Sequence, residues 1–225
     1  MQIEQDARNF WLEDTDRCKA LSHWRDHNDN FDSHGGANLI RTELLCKLAD
    51  RPVDFTHAMD WGCGGGANTV WLVKCSLATV GVDISLRNLD ETERVVELPE
   101  GHTFEPAYAP VNPSALNVQH SWLDFFLCTT VFQHLPSKKH GEQVLRFAFY
   151  MLNAGAVALV QIATREIDKG EHPEYHRHFT RWTTWSERHF QIICEDIGFE
   201  VMEVERELDY SYFYLRRPPR IISAS

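Results

Sequence analysis

The sequence predicts an α/β protein with a doubly wound, mostly parallel sheet, helices on both faces and an antiparallel C-terminal hairpin strand. Three observations carry this. Short apolar runs alternate with segments of helical periodicity between residues 38 and 197, which is the signature of repeated β-α units. The first of these runs ends in glycines and feeds a helix. Two alternating runs at 199–205 and 210–215 follow the last helix across a short connection, as in a hairpin.

Taken in order, residues 38–50 place apolar side chains at helical spacing after a break at Gly35-Gly36, and read as an amphipathic helix covering the sheet. Residues 55–61 form a short buried strand and 67–75 the helix that follows it. The second strand is 78–82, and 86–98 is helical in pattern. A stretch containing Pro106, Pro110 and Pro113 has no readable register. Residues 123–130 give the next apolar strand, 138–152 a helix closed by the turn residues Asn153-Ala154-Gly155, and 156–162 an almost continuous apolar strand. After a polar, His-rich segment, Thr184-Trp185-Ser186-Glu187 has capping-box spacing for a helix to Ile197, with Gly198 just past its end.

A chain of 225 residues, 43% hydrophobic and 12% aromatic, suits one core with decoration. Residues 1–36 read as an N-terminal helical lid or cap on a main domain spanning 37–225. The formal net charge of -11 repels a nucleic-acid backbone or an anionic membrane. The clearest basic cluster, Arg216, Arg217 and Arg220, reads as a solvated chain end. Six scattered cysteines without a C-x-x-C pair read as reduced thiols. The first residues lack a signal-peptide pattern and no apolar stretch reaches membrane-spanning length, so a cytoplasmic protein is expected.

The run Asp60-Trp61-Gly62-Cys63-Gly64-Gly65-Gly66 joins a strand to a helix. Glycine tolerates positive φ and lets backbone approach a ligand. Gly62-x-Gly64-x-x-Ala67 also satisfies the dinucleotide fingerprint, with Asp83 about twenty residues on as a ribose acid. Spacing alone therefore admits two cofactors. Asp60 separates them: its carboxylate repels a pyrophosphate and complements a cationic amino group.

With Asp60, Gly62, Gly64 and Gly66 matching D-x-G-x-G-x-G in full, the chain resembles the class I, Rossmann-like, S-adenosylmethionine (SAM)-dependent methyltransferase family. Asp83 after the second strand, residues 123–135 ending in His134-Leu135, and Gly198-Phe199 after the last helix are similar to further family features. The resemblance covers residues 37–217 and implies a seven-stranded sheet, SAM as cofactor and S-adenosylhomocysteine as product. It also implies cofactor contacts at Asp60, Gly62, Cys63, Gly64, Gly66, Asn68, Asp83, Ile84, Thr129 and Thr130. Glu105 is the candidate for the acid near the adenine, although the prolines around it obscure its register.

Methyl transfer from a sulfonium mainly requires alignment of the acceptor, with a base where a proton must leave. His134, just past the fourth apolar strand, is the candidate base; a packing role is the alternative. The resemblance implies a substrate-facing insertion at about 165–183. There His176, His178 and Trp182, together with His34 from the N-terminal segment, are the candidate substrate-binding residues. His172, His176 and His178 match no tight metal motif, so a polar substrate wall is expected and no metal. Residues 24–34 suit a lid or a solvated connection, and Trp11, Trp24, Trp182 and Trp185 read as packing residues.

The leading expectation is a small-molecule O- or N-methyltransferase, with a secondary metabolite as the suggested acceptor, acting as a monomer or homodimer without nucleic-acid or membrane partners. A nucleic-acid or protein methyltransferase, a SAM-binding protein that does not methylate and an NAD-linked oxidoreductase are the alternatives.

Overall fold

In a computed structural model, which describes residues 9–109, 113, 121–164 and 183–219, apolar runs become strands β1 (Phe55–Trp61), β2 (Ser76–Asp83), β3 (Thr103–Tyr108), β4 (Leu123–Cys128), β5 (Leu152–Ala163), β6 (Glu200–Glu207) and β7 (Tyr210–Arg216). They form one seven-stranded sheet in the order β3-β2-β1-β4-β5-β7-β6. Pairs β1-β2, β1-β4, β2-β3 and β4-β5 are parallel. Strand β7 runs antiparallel to both β5 and β6 and lies between them.

The helices are α1 (Asp16–Leu21), α2 (Phe31–Leu48), α3 (Thr69–Leu72), α4 (Leu86–Val95), α5 (Lys138–Met151) and α6 (Glu187–Ile197). Successive strand residues point to opposite faces, so the sheet builds a core on each side. Phe126, Val144, Phe190 and Phe213 pack in one. Leu45, Leu72, Phe125, Leu127 and Tyr214 pack in the other. Among the described residues no helix is long and apolar enough to cross a membrane, and all six cysteines are free.

Several elements differ from expectation for local reasons. Helix α2 starts at Phe31 and runs through Gly35-Gly36. A Cβ on Gly35 would lie 2.2 Å from the Ala67 carbonyl oxygen, so this glycine permits close packing instead of breaking the helix. The outward side of α2 is not polar either, because Ile40, Leu44 and Leu48 are exposed at four-residue intervals. Strand β3 occupies the stretch whose prolines hid it. As an edge strand it needs only one ladder, which Pro106 tolerates.

Helix α5 passes directly into β5, with Leu152 already extended at φ -67 and ψ 141. The expected cap residues 153–155 lie inside the strand. There Gly155, at φ 83, sits where the pairing jumps from Leu123↔Leu152 to Phe125↔Val157, an irregularity that a positive φ accommodates. Ser186, not Thr184, caps α6 by accepting from the His189 N–H at 3.2 Å, and Gly198 closes the helix at φ 113 as its position predicts. At the chain end, Arg217 is not merely solvated. Its guanidinium lies over the Phe149 ring and donates to the Phe149 and Leu152 carbonyls.

Candidate active site

The C-terminal ends of β1, β2 and β4 open onto one cavity. Its walls include Gly62, Cys63 and Gly64 after β1, Asp83 and Ile84 after β2, and Thr130, Val131 and His134 after β4. This is the crevice in which parallel sheets of this kind bind ligands. The N-terminal segment supplies a further wall: Trp11, Leu21, Ser22 and His23, with His34 from α2.

Gly62, Gly64 and Gly66 all take positive φ, at 77, 55 and 92. The space each lacks a Cβ to fill is taken by protein. A Cβ on Gly62 would lie 2.1 Å from a Val131 methyl, and one on Gly64 2.4 Å from the Ser22 carbonyl oxygen. The same carbonyl accepts from the Gly65 N–H at 2.5 Å. Residues 22–24 thus form a strap across the glycine loop. It is secured at its far end by the Trp24 indole N–H, which donates to Asn88 Oδ1 at 2.9 Å. The glycine requirement expected from ligand approach is here also a requirement of the strap.

Asp83 Oδ1 accepts from the Ser85 N–H at 2.9 Å and from Asn88 Nδ2 at 3.1 Å, and Oδ2 accepts from the Gly64 N–H at 3.0 Å. Burial raises its pKa, and these three donors pull it back. The carboxylate is fixed at the cavity wall with acceptor capacity left on Oδ2.

Asp60 is 1% exposed and lies beneath the loop instead of in the cavity lining. Its Oδ2 accepts from Thr69 Oγ1 at 2.7 Å, while Oδ1 is buried without a hydrogen-bond partner among the described residues. Burial, with the nearby Asp83 charge as a lesser contribution, pushes its pKa up to about 7. Gly66 likewise turns away from the cavity, toward Val95.

Asn68 reaches the cavity wall and ties three elements together. Its Oδ1 accepts from Asn38 Nδ2 at 2.9 Å, and its Nδ2 donates to Thr129 Oγ1 at 3.0 Å. Thr129 is buried behind the wall in that network. Asn38 Nδ2 also approaches His34 Nε2 at 3.2 Å. The His34 ring stacks on His23 at 4.2 Å between centroids, and burial, helped by the charges of His23 and Arg41, lowers its pKa to about 3. Burial lowers His23 as well. Both rings are neutral near pH 7.

His134 ends a short 3-10 turn (Phe132–His134). Its ring meets Trp11 edge-on at 4.8 Å between centroids, on the same cavity as Asp83 and the glycine loop. Glu105 is not brought there: it is exposed on β3, and Ile84 and Ala109 line the cavity near the ends of β2 and β3 instead. His172, His176, His178 and Trp182 lie outside the described residues. Several lining residues escape the sequence reading, and Trp11 reads there only as a packing residue. Trp11, Ser22 and His23 sit where no motif points, and His140 lies in the first turn of α5. Asn88, five residues after Asp83, carried the one usable signal, an amide one helical turn past the acid.

A family model for a methyltransferase domain matches residues 34–204. No curated protein matches the sequence. Among solved structures, the chain is similar to a SAM-dependent methyltransferase from Leishmania major, with a TM-score of 0.67 and 16% identity over 95% of this chain and 82% of that one. It is similar to the magnesium protoporphyrin IX methyltransferase of Synechocystis PCC 6803, with a TM-score of 0.66 and 16% identity over 93% and 97% of the two chains. A SAM-dependent methyltransferase from Methanosarcina mazei gives a TM-score of 0.62 and 16% identity over 75% and 95%. With the doubly wound sheet, the cleft at its strand ends and a family match over most of its length, the chain belongs to the class I SAM-dependent methyltransferase family.

Proposed function

We propose that the chain transfers the methyl group of SAM to an O or N atom of a small molecule. The observation that carries this reading is the strap: residues 22–24 cross the glycine loop, and Ser22 and His23 wall one side of the cavity at the strand ends. Among the described residues no Lys or Arg lines that cavity, which speaks against a nucleic-acid acceptor. The Synechocystis protein, whose structure holds bound SAH, acts on magnesium protoporphyrin IX, which agrees with a small acceptor.

The residues present fit SAM. Asp83 offers a fixed carboxylate to the ribose hydroxyls, and Asp60, whose Oδ1 has no hydrogen-bond partner among the described residues, supplies a negative field under the loop for a cationic amino acid. Bound SAM supplies the electrophilic methyl group. The protein's own part is to align the acceptor and exclude water. His134, braced by Trp11, takes the acceptor's proton where one must leave. Residues 9–36 act as a cap over the cavity, while the substrate-facing insertion expected at about 165–183 lies, apart from Thr183, outside the described residues.

The test is a panel of hydroxyl and amine acceptors incubated with SAM, following S-adenosylhomocysteine, beside calorimetric titration of SAM and NADH. Product formation with small acceptors supports the reading. SAM binding without turnover across the panel favours a non-methylating binder. Tighter binding of NADH than of SAM overturns the argument from Asp60.

A further inference from the structure

Thr130, two residues past β4, lines the cavity and holds φ at 59. A β-branched side chain is strained in that region and stays there only when its surroundings enforce it. The enforcing group is Gln161. Its Oε1 accepts from the Thr130 N–H at 2.5 Å, and its Nε2 donates to Tyr212 Oη at 3.1 Å. Gln161 is 2% exposed and faces Tyr212 in the β5-β7 register. An amide bonded at both ends in a buried site has one orientation.

Tyr212 is itself fixed. The Arg41 guanidinium of α2 lies 3.7 Å from the centre of its ring, and Glu205 and Glu207 of β6 hold that guanidinium at 3.1 and 2.5 Å. The chain of contacts therefore runs from the sheet edge through α2 to one peptide on the cavity wall. Beyond Thr130, Val131 fills the space over Gly62, and its carbonyl accepts from the His134 N–H at 2.8 Å. The angle at which the chain leaves β4 thus sets both the glycine-loop contact and the position of His134.

We infer that Gln161 is a positioning residue of the active site: by holding the Thr130 peptide in its left-handed conformation it sets Val131 and His134 at the cavity wall. The consequence for turnover rests on the proposed role of His134, whereas the consequence for the backbone does not.

The experiment is a double-mutant cycle of Gln161→Leu and Thr130→Gly, because glycine takes positive φ without help. Amide exchange at Thr130 and Val131, SAM affinity, kcat and KM are read separately. Gln161→Leu is expected to accelerate exchange at these amides and to lower kcat about tenfold in the Thr130 background, by more than it raises the KM for SAM. In the Thr130→Gly background the same replacement changes kcat by less than about threefold. Gln161→Glu, which keeps an acceptor for the Thr130 N–H, restores much of the loss and serves where Gln161→Leu does not fold. An equal drop in both backgrounds, or unchanged exchange at Thr130 and Val131, overturns the inference. Altered exchange without any methyl transfer leaves it standing and refutes the enzymatic reading instead.

Discussion

Replacing Asp60 by Asn keeps the shape and the Thr69 contact and deletes the ionisation. Burial lifts the Asp60 pKa from 3.8 to about 7, and at about 1.36 kcal/mol per pH unit the ionised carboxylate costs the folded, ligand-free protein roughly 4 kcal/mol. The sign follows from proton binding. Below pH 4 folded and unfolded states both hold the proton and no cost is present. Between pH 4 and 7 the unfolded state loses it first, so stability falls as pH rises. Above pH 7 the whole cost is present. Asn escapes it.

The melting temperature of Asp60→Asn minus that of the wild type should therefore grow between pH 4 and pH 8, by on the order of 10 °C for a chain of this size. His34, whose pKa falls from 6.5 to about 3, adds stability as pH rises across that interval. Its contribution is common to both proteins and cancels in the difference. Scanning calorimetry without SAM measures the effect. Calorimetric titration should also show wild-type affinity for SAM rising through pH 7 and the variant's staying level. A melting difference that is constant from pH 4 to pH 8 would refute the buried-charge account of Asp60.

Four further outcomes are expected. Asp83→Asn should weaken SAM binding roughly 10- to 100-fold by calorimetry, since one charge-assisted acceptor is lost, and an unchanged affinity would remove Asp83 from the ribose site. His134→Gln should lower kcat by roughly 10²- to 10⁴-fold while the SAM affinity stays put; undiminished turnover would leave His134 a packing residue. Gly64→Ala forces a Cβ to 2.4 Å from the Ser22 carbonyl oxygen at φ 55 and should destabilise by roughly 1–3 kcal/mol. Limited proteolysis should then cut near residues 22–24, and protection equal to the wild type would contradict the strap. Gly35→Ala should lower the melting temperature, whereas Gly36→Ala, with open space around its Cβ, should raise stability by about 0.5–1 kcal/mol. Parallel effects at the two positions would discredit the contact with Ala67.

The order of strands and helices was legible because each buried run is short, apolar and bounded by glycine or polar residues, and Asp60, the glycines and Asp83 announce themselves by spacing. What sequence could not show depends on contacts made across the fold. Pro106 argues against a strand until its place at the sheet edge is known. Gly35 looks like a helix break until Ala67 is packed against it. Thr184 and Ser186 both offer a capping oxygen, and only backbone geometry selects Ser186. The strap is invisible because Ser22 acts through its carbonyl, which every residue possesses. Gln161 did leave a trace, as the polar residue in an otherwise apolar run at 156–162, yet a lone Gln says nothing of its partner.

The place of β7 inside the sheet governs when the protein can become whole. During synthesis β4 and β5, which pair with each other in the folded sheet, and β6 all emerge before the strand that joins β6 to the sheet. Until residues 210–216 leave the ribosome, the nascent chain presents an open, apolar strand edge that any other extended chain could join. The final strand is the keystone of assembly, and its delay is the interval in which aggregation competes with folding.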